Sequence, residues 1–216
     1  MSEKRNIRLG IYYSPFSGWN AYTNYLSNLI FALKSLDPAP ELILLTKKDT
    51  IVDPAIKPVD KIIIIPDEIK TPTKIPVLLR KVINKIKVYF EPDMFDQICI
   101  KHNIDAIFAH SIYKPRNLHK IPVISWIPDF QHIHMPEIFS VDEINYRNWE
   151  FREISQKADC ILVSSQNALK DLLDFAPETK NKSSVASFVT QINEEVYQKE
   201  TETTRELYKL PKRFFF

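Results

Sequence analysis

The sequence predicts an α/β domain: a doubly wound, mostly parallel sheet with helices on both faces. Short runs rich in β-branched and aromatic residues alternate with longer segments whose apolar residues recur every three or four positions. The first pattern is typical of buried strands and the second of amphipathic helices. Strands that alternate with helices form βαβ units. Because such crossovers are right-handed, we expect a Rossmann-like arrangement.

The elements follow in order from these patterns. Ile7–Tyr13 is predicted as the first strand, and a turn-rich loop follows it. The apolar stripe over Tyr22–Leu36 predicts a helix, which Asp37-Pro38 ends. Further strands are predicted at 42–45, 61–65, 104–109, 122–127, 158–163 and 183–189. Further helices are predicted at 74–90, 91–102, 140–156, 165–174 and 201–208.

The length of 216 residues suits one large domain or a domain and a half. Three successive aromatics, Phe214–Phe216, resemble the start of a buried strand that has lost its partners. We therefore predict a Rossmann-like domain at residues 1–197. Residues 198–216 are predicted to be a hinge and the beginning of a truncated second domain.

Composition excludes several classes of function. With only Gly10 and Gly18, the chain cannot carry a glycine-rich phosphate loop. Its net charge of +2 is too small to predict nucleic-acid binding. We expect a cytoplasmic protein, because no apolar leader precedes the first strand and no apolar run reaches the ~18 residues of a membrane span. Cys99 and Cys160 are expected to be free.

The helix predicted over 74–90 is basic on the side opposite its apolar stripe. Such a helix can lie on anionic lipid, which would suit peripheral membrane contact and a lipid-linked acceptor. The alternative is that the stripe covers the sheet and the basic residues form a solvated face.

The best candidate site follows the apolar run Val123–Ile127, where Asp129, His132 and His134 come in quick succession. Ligands of α/β domains bind at the carboxyl ends of strands, and carboxylates and imidazoles there can do acid–base work. In an extended segment, the two histidines would share one side. Alternatively, Asp129 caps a turn and His132 is hydrogen-bonded inside the domain. Together with His110, the three residues could also form a four-ligand zinc site.

The segment Ile127-Pro128-Asp129-Phe130-Gln131-His132-Ile133-His134-Met135-Pro136-Glu137-Ile138-Phe139-Ser140 resembles the acceptor-side segment of the family-four retaining glycosyltransferases, which have the two-domain GT-B fold. Gly18-Trp19 lies where that family has its short glycine loop. Residues 158–165 resemble its strand that ends in a serine before a helix. Residues 208–215 resemble its passage into the second domain.

The resemblance implies an N-terminal, acceptor-binding half of an enzyme that transfers a sugar from a nucleotide-sugar to an acceptor hydroxyl. It implies no metal and no cofactor apart from the nucleotide-sugar substrate. Many relatives have a His-Asp pair where this chain has Pro128-Asp129, so the role of that histidine does not transfer. The paired glutamates of the family's second domain are absent, which predicts an inactive fragment.

The resemblance also assigns roles to individual residues. Asp129 and His132 would be catalytic: Asp129 would bind a sugar hydroxyl or take the acceptor proton, and His132 would hydrogen-bond the donor sugar. Gly18 would let the backbone approach the diphosphate, near the amino end of the helix that begins near Asn20. The remaining substrate-binding candidates are Trp19, His110, His134 and Ser165.

Each of these residues also has a purely structural interpretation. Gly18 could be a plain turn glycine, His110 could pack at a strand end, and Ser165 could cap its helix. The alternative function is a non-catalytic, Rossmann-like binding or interaction module.

Overall fold

A computed structural model describes residues 6–14, 20–66, 94–110, 121–188 and 201–213. Within them lies a seven-stranded sheet in the order β3-β2-β1-β4-β5-β6-β7. Every neighbouring pair of strands is parallel. The strands are β1 Arg8–Tyr13, β2 Glu41–Lys47, β3 Lys61–Ile65, β4 Ala106–Ala109, β5 Val123–Ile127, β6 Cys160–Val163 and β7 Ser183–Val185.

Helices cover both faces of this sheet. They are α1 Asn20–Lys34, α2 Met94–Lys101, the single turn α3 Gln131–His134, α4 Val141–Lys157, α5 Gln166–Phe175 and α6 Thr201–Leu207. Alternate residues of β2 show the two faces: Leu42 and Leu44 join the cluster that includes the apolar side of α1. Ile43 and Leu45 join the cluster that includes Phe95 of α2. The prediction of a doubly wound, Rossmann-like α/β fold is confirmed.

Two differences from the sequence prediction matter here. The last strand ends at Val185, because only three residues pair with β6. Residues 131–134 form a helical turn, so the prediction of an extended segment with two histidines on one side was wrong. Residues two apart in a helix point in nearly opposite directions. His132 is accordingly buried, whereas His134 is exposed.

Some predicted features lie outside the described residues: the basic helix at 74–90, the Gly18-Trp19 loop and the aromatics Phe214–Phe216. Among the helices that the structure describes, none combines the length and the apolar character needed to span a bilayer. Cys99 and Cys160 are not joined in a disulfide, and Cys99 is buried.

Trp126 of β5 anchors the carboxyl edge of the sheet. Its indole stacks on Tyr25 of α1 with 3.9 Å between ring centroids and 6° between planes. Its Nε1–H donates to Ser164 Oγ at 3.0 Å, directly after β6. The indole therefore connects α1, β5 and the end of β6 at the edge where the strand-end loops begin.

We expect Ser164→Ala to lower the free energy of unfolding by about 1–3 kcal/mol, because the buried indole N–H would lose its acceptor. Urea denaturation followed by Trp fluorescence measures this change. Ser184→Ala, at an exposed position of β7, is the control and should have little effect. Equal stability of the two variants would show that the hydrogen bond contributes nothing.

Candidate functional site

The order of the sheet reverses between β1 and β4. From β1 the chain proceeds outward to β2 and β3, and it then returns to place β4 on the other side of β1. The carboxyl ends at such a switch point are the usual ligand position in open α/β sheets. His110 directly follows β4 at this point, and its ring centroid lies 4.2 Å from that of Tyr22.

A cavity of about 550 Å³ opens beside His110. Strand ends form one side of it, and α4 forms the other. The strand-end residues are His110, Trp126 and Pro128. The residues from α4 are Asp142, Glu143, Tyr146, Arg147, Glu150 and Phe151. A cavity of this size suits a small ligand such as one or two sugar rings.

The α4 wall consists of two rows of residues four positions apart. One row is 142, 146 and 150, and the other is 143, 147 and 151. Positions four apart lie on the same face of a helix, so both rows turn toward the cavity. Ser140 holds the start of this helix: its Oγ accepts the Glu143 N–H at 3.3 Å, and its own N–H donates to Glu143 Oε2 at 2.8 Å.

Burial changes the acid–base properties of two groups in the cavity. It lowers the pKa of His110 to about 4, so this imidazole is neutral at physiological pH. It also raises the pKa of the Glu150 carboxyl, against the opposing effects of a hydrogen bond from Tyr146 and the charge of Arg147. The Tyr146 hydroxyl donates to Glu150 Oε1 at 3.4 Å. A neutral imidazole and a carboxyl with a raised pKa can both exchange protons or hydrogen bonds with hydroxyl groups.

Asp129 lies next to the cavity rather than on its wall. Its Oδ1 accepts the Gln131 N–H at 3.1 Å, which is the turn-capping role expected as its alternative. The same oxygen lies 3.4 Å from Nη1 of Arg147, a cavity residue. About 38% of the Asp129 side chain is exposed, so the carboxylate remains accessible to a ligand. Its catalytic role stays a prediction.

His132 lies inside the domain, with 1% of its surface exposed. Its Nε2 is 3.2 Å from Asn148 Oδ1. The imidazole packs between Phe130 and Phe151, at centroid distances of 6.2 and 5.3 Å. Burial is the main cause that lowers its pKa. This geometry favours the alternative, a histidine hydrogen-bonded inside the domain, over contact with substrate.

The other predicted site residues are spread along the same edge. His134 Nε2 is 3.0 Å from Asp171 Oδ2 of α5. Ser165 Oγ accepts the Ala168 N–H at 3.1 Å and caps α5, so ligand contact by either residue stays a prediction. The proposed zinc ligands do not converge, and the described residues include no group of three or more His, Cys, Asp or Glu able to hold a metal.

Sequence reasoning found His110 but missed the wall that faces it. It predicted the helix at 140–156 without assigning Tyr146, Arg147 or Glu150 to a site. One feature of the sequence could have indicated this wall. Polar and aromatic residues recur at intervals of four in the predicted helix, directly after the polar segment that follows the strand. Trp126 was missed because an indole within an apolar run is indistinguishable by pattern from any core residue.

Comparison with known proteins gives structural likeness only. No protein-family model and no curated protein sequence matches this chain. Among solved structures, Staphylococcus aureus MnaA with UDP is similar at 14% identity and a TM-score of 0.46, over 83% of this chain and 43% of that protein. A glycosyltransferase from Rickettsia africae is similar at 12% identity and a TM-score of 0.46, over 96% of this chain and 51% of that protein.

A third similar structure is a sucrose-phosphate synthase from Thermosynechococcus elongatus, at 16% identity and a TM-score of 0.42, over 94% of this chain and 97% of that one. The present chain spans about half the length of the first two proteins. At these values, the assignment of the fold rests on the strand order described above.

Stability should fall as the pH drops from about 6.5 to about 4, because the unfolded state then binds a proton at His110 that the folded state does not. The loss due to His110 should reach about 1–3 kcal/mol at pH 4. In His110→Gln this part of the pH dependence should disappear, while the smaller part due to His132 remains. Urea denaturation at several pH values tests this. An unchanged slope in the variant would contradict it.

Proposed function

We propose that this chain is the acceptor-side domain of a retaining glycosyltransferase that moves a sugar from a nucleotide-sugar to an acceptor hydroxyl. The observation that carries the proposal is the position of the cavity. It opens at the carboxyl edge beside the switch point, and the segment 127–140 that resembles the family-four acceptor region joins its two walls. The pattern of residues and the location of the cavity thus point to the same edge.

In this proposal the cavity holds the acceptor, and a second domain outside this chain brings the donor. Transfer of this kind depends on orientation and electrostatic stabilisation more than on covalent chemistry by the protein. His110, neutral and 7% exposed, would hydrogen-bond an acceptor hydroxyl at the base of the cavity. Asp129, beside the wall residue Arg147, would receive the proton of the attacking hydroxyl.

The donor diphosphate would lie near the amino end of α1, which begins at Asn20, the residue that follows Gly18-Trp19 in the sequence. Free backbone N–H groups at a helix start favour negative charge. The Ser165-capped start of α5 lies at the same edge of the sheet. Contacts of Gly18, Trp19, His134 and Ser165 with substrate remain part of the proposal.

We expect residues 1–216 alone to transfer no sugar, because the donor-binding groups would be on the second domain. Incubation with UDP- and GDP-linked sugars and a panel of glycan acceptors, followed by mass spectrometry, measures this. The protein produced from the complete reading frame is the positive control. Turnover by residues 1–216 alone would show that the prediction is wrong.

In an active, complete protein, Asp129→Asn should lower kcat about 10-fold or more with a smaller effect on KM. Asn keeps an oxygen for the Gln131 N–H and so preserves the turn, but it cannot accept a proton. Asp129→Ala should lower kcat at least as much. Unchanged turnover in the Asn variant, with a normal circular dichroism spectrum, would remove Asp129 from the reaction.

The alternative function is a non-catalytic, Rossmann-like binding module. One observation favours it: Asp129 and His132 are both engaged by structural partners, Gln131 and Asn148. The two functions differ in outcome. A complete protein that binds ligands in the cavity but transfers no sugar to any acceptor would support the module.

A further inference from the structure

The charges that α4 brings to the cavity are unbalanced. Of the lining residues on this helix, which the structure describes in full, Asp142, Glu143 and Glu150 carry carboxylates and Arg147 carries the guanidinium. His110 adds no positive charge, because burial keeps its imidazole neutral. The α4 wall of the cavity is therefore negative.

Arg147 is poorly placed to reverse this sign. Its Nη1 is 3.4 Å from Asp129 Oδ1, and its guanidinium carbon lies 4.8 Å from the centre of the Phe139 ring. An arginine that is paired with one carboxylate and stacked on an aromatic ring offers less charge to a second anion. Because Asp129 is paired with Arg147, the negative charge of Asp129 also lies next to the cavity.

The carboxylates differ in how much they can offer a ligand. The Ser140 hydroxyl and backbone N–H donate to Glu143 Oε2 at 2.7 and 2.8 Å, which occupies that oxygen and lowers the pKa of Glu143. Glu150 receives the Tyr146 hydroxyl on Oε1 at 3.4 Å. A carboxylate has about four acceptor positions on its two oxygens, so Glu150 retains capacity for ligand hydroxyl or amino groups.

We infer that this cavity selects a hydroxylated ligand without negative charge, such as a neutral or amino sugar, and disfavours a phosphorylated one, with Glu150 as the main determinant. The inference rests on the proposed function, because it defines the class of acceptor for the same site. Among the aromatic lining residues, Tyr146 is 51% exposed, so its ring can supply apolar surface for a sugar ring. The carboxylates supply acceptors for its hydroxyl and amino groups and repel phosphate.

Three small sugars with the same ring test the sign of the charge: protonated glucosamine, neutral glucose and dianionic glucose 6-phosphate. Each is titrated into the ¹⁵N-labelled chain, and amide shifts of residues 142–151 report binding in the cavity. We expect affinity to fall in that order, with glucosamine at least about 10-fold tighter than glucose 6-phosphate.

Glu150→Gln should reduce the ratio of these two affinities by about threefold or more, because it removes one charge and keeps the side-chain shape. Glu178→Gln is the matched control: it removes the same charge from the turn after α5, at the opposite edge of the sheet, and should leave the ratio unchanged. If Glu150→Gln does not fold, Asp142→Asn replaces it with the same expected direction.

Three results would overturn the inference. Glucose 6-phosphate could bind as tightly as glucose, or the amide shifts could be confined to residues away from the cavity. The third result is the absence of any shift with all three sugars up to about 50 mM, a concentration far above that at which weak sites fill. The proposed function fails in another way, through absence of sugar transfer by the complete protein. If the complete protein transfers sugar but glucose 6-phosphate binds more tightly than glucosamine, the inference about charge is overturned and the proposed function stands.

Discussion

Because all seven strands run in one direction, every loop that leaves a carboxyl end begins at the same edge of the sheet. The site depends on this constraint. His110 after β4 and Pro128 after β5 are 18 positions apart in sequence, yet parallel pairing of β4 with β5 brings them to one cavity. The geometry of the cavity is thus a consequence of strand direction first and of side-chain chemistry second.

The second wall depends on where α4 begins. The turn at 131–134 and the cap at Ser140 redirect the chain so that α4 starts beside the strand ends. Phe151 then ties the helix to the core, where it contacts Phe130 at a centroid distance of 5.1 Å. His132 fills the space next to these rings and connects to α4 through Asn148. It thus packs against the helix whose other residues line the cavity, which favours a positioning role for the imidazole.

Burial has the same chemical consequence for three titratable groups near the cavity. Removal from water disfavours the charged form, so His110 and His132 lose affinity for protons and Glu150 gains it. The neutral imidazole of His110 can donate a hydrogen bond to a ligand hydroxyl group, or accept one from it, at modest desolvation cost. Asp142 is exposed, so its carboxylate adds negative charge to the α4 wall beside Glu150.

The amino-acid sequence by itself determined the elements and the edge at which the site lies. Alternation of apolar runs with helical stripes is a local property, and it predicted strands such as Lys61–Ile65 to the residue. It also placed Asp129 and His110 at strand ends. Tertiary structure decided which of these residues share a cavity. Helical winding of 131–134 sends His132 inward and His134 outward, and packing of α4 against the strand ends brings Tyr146, Arg147 and Glu150 opposite His110. Such relations depend on contacts between distant segments, and a one-dimensional pattern does not record them.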